Sequence, residues 1–277
     1  MTAYLYHYTS LGGLKGILES DCLWATDAFN SNDSTEIRFG VGILKKKLIE
    51  EGIDEKDVEK FTESIWKAIN EKAKDVFLIC FSAVVENQHR QYREDNGVLS
   101  QWRGCGSYAI KFDQEKLKDF FRSEAFENEF GIADFDDGVK YFDSTGNCST
   151  GYFEEQFASL KEAALLREKF LELGEDDFKK VIKNFCICIL LSKHIGFEEE
   201  LERRCAYIIW KGDDEIKEVT EIFSERKYIK RFVGGVHNAI ESVIIGPMSD
   251  EDYKIGESFL LNSEVSFHKS ETPFLRK

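Results

Sequence analysis

Proline is almost missing from this chain: two residues in 277, Pro247 and Pro273, both near the end. With no Pro-rich or Gly/Ser-rich stretch to act as a linker, the sequence predicts one domain over 1–277. Long apolar runs are missing as well. The longest, around Phe185–Leu191, is far short of the ~20 residues a membrane helix needs, so no membrane partner is expected. No basic segment followed by an apolar one opens the chain, which predicts a cytoplasmic protein without a signal peptide. Basic residues are outnumbered, 37 Lys+Arg against 52 Asp+Glu, for a net charge of −15. Such a surface repels phosphate backbones and anionic lipid, and no Lys/Arg run offsets it locally. GxGxxG and GxxxxGK[ST] phosphate loops are also missing. The seven cysteines are an odd number, and Cys22, Cys80, Cys186, Cys188 and Cys205 lie in apolar segments that suit buried thiols better than disulfides. Cys186-Ile187-Cys188 has no second pair or neighbouring histidines, and the acidic runs at Asp134–Asp137 and Glu198–Glu200 lack the alternating ligands and glycine of a calcium loop. No metal is expected.

What the chain does have is core material: 42% hydrophobic residues, 23 of them phenylalanine, enough for a large packed interior. Tyr4–Tyr8 reads as a strand, and Ser10 as the N-cap of a helix with Leu11, Leu14, Ile17 and Leu18 on one face. After an extended Asp21–Thr26, the polar Phe29–Glu36 stretch reads as a loop that caps the next helix. Charged amphipathic helices are expected over Thr35–Glu51 and Asp54–Ala73. Val76–Ser82, apolar on both faces, has the pattern of a central strand, and Tyr108–Phe112 follows as another, with a helix after Asp113. Residues 123–150 look irregular. Helical patterns at 153–173 and 176–192 complete an insert of about 123–195. Strands then dominate, at Arg204–Trp210, Glu215–Val219, Tyr228–Phe232 and Ser242–Gly246, before a helix from Ser249 and a last strand at Val265–His268. Strands and helices do not alternate as βαβ units, so the class is α+β.

Two stretches carry chemistry. Tyr6-His7-Tyr8-Thr9-Ser10 places a histidine and hydroxyls at a strand end. Phe197-Glu198-Glu199-Glu200-Leu201-Glu202-Arg203-Arg204 spaces carboxylates by two, so that on a strand Glu200 and Glu202 share a face. A histidine and a hydroxyl can hold a ribose, and a carboxylate stabilises the positive charge that develops as a glycosidic bond loosens. The bland alternatives stand beside these. His7 can be a strand histidine satisfied by backbone, and Glu200, Glu202 and Arg204 a solvated strand face. Asn32, Asp33 and Glu36 can be a turn plus helix cap, and Trp102 a core residue.

Taken in order, His7-Tyr8-Thr9, Leu23-Trp24, Asn32-Asp33-Ser34-Thr35-Glu36, Cys80-Phe81-Ser82, Trp102 with Tyr108–Asp113, Lys193, Phe197–Arg204 and Val243–Pro247 resemble a widespread bacterial family. It is catalogued as a domain of unknown function and grouped by fold with ADP-ribosyltransferases. The resemblance implies a split mixed or antiparallel sheet with peripheral helices around an NAD-binding cleft. It implies Glu202 as the catalytic carboxylate, with Glu200 steering the acceptor. It implies that His7, Tyr8 and Thr9, with Ser82, Asn32, Asp33, Trp102 and Arg204, line the cofactor site, and that His7 and Thr9 hold the ribose. The activity it implies is transfer of ADP-ribose from NAD to a macromolecule, a protein sooner than a nucleic acid, in a toxin or phage-defence effector. An NAD glycohydrolase and a non-catalytic nucleotide-sensing or partner-binding module share the same cleft. Two departures bear on register: Arg203 stands where the family often has an aromatic residue, and no proline follows Asn32-Asp33.

Overall fold

Val76–Ser82 is apolar on both faces because it lies in the middle of the sheet. The computed structural model describes residues 3–29, 34–84, 89–122, 131–134, 138–148, 151–210, 220–223, 226–230 and 235–273. The central run forms β3 (Ala73–Ala83), and each of its edges is used differently. One edge pairs antiparallel with β8 (Glu202–Trp210) along nearly its whole length, from Ala73↔Trp210 to Ser82↔Glu202. The other edge is shared. β1 (Tyr4–Thr9) pairs with its far end at Tyr6↔Ser82, and β2 (Trp24–Asp27) with its near half at Thr26↔Leu78. The sheet therefore splits at residues 79–81, where β1 and β2 diverge.

Beyond β1 follow β4 (Tyr108–Asp113), β11 (Ile240–Ile245) and β12 (Phe267–Lys269), the last parallel to its neighbour. Beyond β2 follow β10 (Arg226–Lys230) and β9 (Thr220–Phe223), and β5 (Gly131–Asp134) lies on the outer edge of β8. A separate parallel ribbon joins β6 (Lys140–Phe142) to β7 (Ser192–His194). The architecture is α+β with a mixed sheet, as the lack of βαβ alternation predicts.

The helices follow from capping and periodicity. α1 (Leu11–Ser20) starts at Ser10, whose Oγ accepts from the Gly13 N–H at 3.2 Å, and stops where Asp21 turns to φ 53°. α2 (Ser34–Glu50) and α3 (Glu55–Lys72) are the two expected charged helices. The short α4 (Arg90–Asn96) and α5 (Leu99–Gly104) precede β4, and α6 (Gln114–Arg122) follows it. α7 (Glu154–Leu166) and α8 (Glu175–Leu190) occupy the two helical patterns, and α9 (Asp250–Leu260) is capped by Ser249. The strand expected over Glu215–Val219, together with Asn32 and Asp33, lies outside the described residues.

Strand alternation sorts the apolar residues to two sides. On one face Leu5, Phe77, Ile79, Phe81, Ile110 and Phe112 pack with α1 and α6. On the other, Val76, Ala206 and Ile208 pack under α2, α3, α7 and α8, so the helical segment expected as an insert shares this core. Further along that second face Tyr6, Tyr8, Trp102 and Ala109 form a separate apolar cluster. Each fully buried Phe or Leu contributes roughly 1.5–3 kcal/mol, and between the two clusters that gain is given up for polar side chains.

Candidate functional site

Those polar side chains belong to β3 and β8. Register puts Ser82 opposite Glu202 and Cys80 opposite Arg204, all on the face between the clusters. Lys193 of β7 and Glu36 of α2 reach the same place. Lys193, Glu202 and Arg204 are only 5, 6 and 3% exposed. The Lys193 ammonium meets Glu200 at 2.6 Å, Glu36 at 2.9 Å and Glu202 at 3.1 Å, and the exposed Phe197 ring stands 4.8 Å from it. The Arg204 guanidinium donates to Glu36 at 2.6 Å, to Glu202 at 2.8 Å and to the Leu190 carbonyl at 2.5 Å. Glu36 thus bridges the two cations from a helix more than 150 positions away.

Such a group survives burial only because the charges are paired. For Glu202 burial disfavours ionisation, but Arg204, Lys193 and a hydrogen bond from the Cys80 thiol outweigh it, and its carboxyl titrates at about 2. For Glu200 burial dominates over the Lys193 hydrogen bond, and its pKa lies above the ordinary value. Burial also opposes the Lys193 charge, yet the Glu202 and Glu36 carboxylates more than offset it and hold the ammonium protonated. The Cys80 thiol is pushed up by burial and by Glu202, so it stays a thiol and donates. The two neighbouring carboxylates are thus shifted in opposite directions, Glu202 down and Glu200 up.

The two glutamates do not converge by strand alternation, as their spacing suggests. Residues 195–200 form a 3-10 helix, and Leu201 turns through a left-handed φ of 45° before β8 begins at Glu202. That kink costs a leucine roughly 1–2 kcal/mol and swings both carboxylates onto Lys193. Glu202 and Arg204, in contrast, do share a face by alternation.

The first strand is close to this cluster, but its chemistry is divided between faces. Tyr6 is in register with Ser82 and hence with Glu202, two inter-strand steps or about 10 Å away. His7 therefore belongs to the opposite face, where its ring lies 5.8 Å from Phe81. The single ribose gripped by both His7 and Glu202 is not what this register forms. His7 instead closes the split: its Nδ1 donates to the Cys80 carbonyl at 2.9 Å, at the stretch of β3 between its β1 and β2 pairings. Since a carbonyl only accepts, the proton is on Nδ1, and burial holds the ring neutral by lowering its pKa. Thr9 places its hydroxyl against the backbone of Gly13 in α1. Tyr8 accepts from the Val98 N–H at 2.8 Å and packs edge-on against Trp102, itself 2% exposed with its indole N–H on the Asn96 carbonyl. These two are packing residues of the second-face cluster.

Of the residues expected from sequence, then, Glu200, Glu202, Arg204 and Ser82 come together; His7, Tyr8, Thr9 and Trp102 surround them without entering the charged group. Glu36 and Lys193, quoted in the motif blocks but not expected as site residues, enter it as well. Glu36 reads as a helix-cap acid in sequence, and Lys193 as the end of an apolar run. Comparison with protein-family models, with curated proteins and with solved structures finds no match to this chain. The functional reading rests on the site itself.

Proposed function

We propose that the chain cleaves the nicotinamide–ribose bond of NAD and transfers ADP-ribose to a macromolecular acceptor, a protein sooner than a nucleic acid. The observation that carries this is a carboxylate, Glu202 of β8, kept ionised by the buried Lys193 and Arg204, across β3 from the split in the sheet. When the C1′–N bond breaks, its electron pair leaves with nicotinamide and positive charge spreads over C1′ and the ring oxygen. A fixed anion is the group that stabilises such a state. Glu200, at the rim and with its raised pKa, is placed to take the proton that the acceptor loses as it attacks C1′. His7 acts as a positioning residue through Cys80, whose carbonyl it holds and whose thiol contacts Glu202. The split sheet and the ordered motif blocks support the same reading.

A second reading has its own observation. Lys193 and Arg204 are each already paired with protein carboxylates, as in an ionic lock that fixes α2, β7 and β8 for a non-catalytic binding module. Nicotinamide release from NAD by the wild type, Glu202→Gln and Glu200→Gln separates the two. The transferase reading expects Glu202→Gln to lose at least a hundredfold in rate. Equal background rates in all three proteins favour the module, and release without label reaching any acceptor identifies a hydrolase.

A further inference from the structure

Glu202 sits where the ladder on the outer edge of β8 runs out. β5 pairs with residues 204–207 and stops at Asp134. Two positions along, the Glu202 backbone is held by other means: its carbonyl accepts from the Val139 N–H at 3.0 Å, and its N–H donates to the Tyr141 hydroxyl at 2.8 Å. Tyr141 lies mid-way along β6, directly opposite Lys193, so the phenol and the ammonium stand on one face of the ribbon. Burial lifts the phenol to about 12, which keeps its O–H intact at neutral pH.

An oxygen that accepts from Glu202 still has its own proton to give. No hydrogen bond found among the described residues uses that proton. Of the neighbouring donors, the Lys193 ammonium is committed to Glu36, Glu200 and Glu202, and the terminal nitrogens of Arg204 to the Leu190 carbonyl, Glu36 and Glu202, while the Arg204 Nε–H is buried without a partner among the described residues. A sugar hydroxyl needs both an acceptor and a donor, and a carboxylate supplies only the first. We infer that Tyr141 is a substrate-contact residue whose phenol donates to the oxygen of the same ribose hydroxyl whose proton Glu202 accepts. The inference rests on the NAD site proposed above and assigns that site its sugar-specific donor.

The test compares binding of NAD with binding of its analogues lacking the 2′- or the 3′-hydroxyl of the nicotinamide ribose. It uses the wild type and Tyr141→Phe, read by stopped-flow tryptophan quenching before turnover. The wild type is expected to bind one analogue about tenfold more weakly than NAD, the scale of one lost hydrogen bond. Tyr141→Phe is expected to bind NAD about fivefold more weakly and to lose most of that discrimination. Each readout is a ratio within one protein, so an unfolded fraction scales all three ligands alike. If Tyr141→Phe weakens NAD and both analogues equally, the phenol acts only through the Glu202 backbone; the inference is then overturned and the NAD site stands. A wild type that binds none of the three overturns the site and the inference together.

Discussion

Removing the Lys193 ammonium leaves three carboxylates facing one another with a single guanidinium between them. Lys193→Met is therefore expected to destabilise the fold by about 3–5 kcal/mol at neutral pH, measured by urea unfolding, because a buried ion group that loses one partner keeps the desolvation cost of the rest. The pH dependence follows from Glu202. Its folded pKa, about 2, lies below its ordinary 4.5, so it contributes stability that is fully present above 4.5 and lost as the pH falls toward 2. Glu200, with its pKa raised, contributes in the opposite sense: its share is present at low pH and lost as the pH rises through its folded value. Glu202→Gln should thus cost most near neutrality, and its stability gap from the wild type should close on acidification to about pH 2–3. A gap that stays constant with pH means that the carboxylate is not ionised in the folded state. At this scale the sequence is partly legible. Glu202 and Arg204 are readable because a strand repeats every two residues. Glu36 and Lys193 are not, because nothing local shows that a helix-cap acid and a lysine after an apolar run will meet across the fold.

Among the elements, the crossing of α2 and α8 brings Glu36 within reach of Arg204. The helices approach closely because Gly40 has no side chain: a Cβ there would lie 2.2 Å from the Ile189 carbonyl oxygen. Gly40→Ala is expected to push the helices apart and cost about 1–3 kcal/mol. Gly42→Ala, on the exposed side of the same helix with nothing within 4 Å, should instead gain about 0.5–1 kcal/mol. Paired urea unfolding curves check both signs; a loss at both positions would point to the helix backbone rather than to the crossing. Most elements are readable from periodicity and capping, as Ser10, Ser249 and the two-faced Val76–Ser82 run illustrate. The 3-10 turn at 195–200 is not, since an alternating acid pattern looks the same on a strand as on a chain that kinks at Leu201. Nor is the two-stranded ribbon of β6 and β7, whose three-residue strands are too short to show a period.

Over the whole molecule, one long strand organises everything: β3 receives β8 along one edge and the diverging β1 and β2 along the other, and the charged group lies on one face beside that divergence. The α+β class is legible in the order of patterns. The division of His7 and Glu202 between faces is not, because it depends on the register of three strands drawn from distant parts of the chain, and a shift of one residue would reverse it. If Glu202 is the reacting carboxylate, the sugar must lie on the face of Ser82 and Tyr6, away from the face where His7 meets Phe81. The most direct measurement is a crystal structure with a non-cleavable carbocyclic NAD analogue. The ribose-equivalent ring is expected within hydrogen-bond distance of Glu202 and Tyr141, on the Ser82 face. Density for the dinucleotide on the His7 face, or seated in the groove between Asp57 and Lys169, would contradict it.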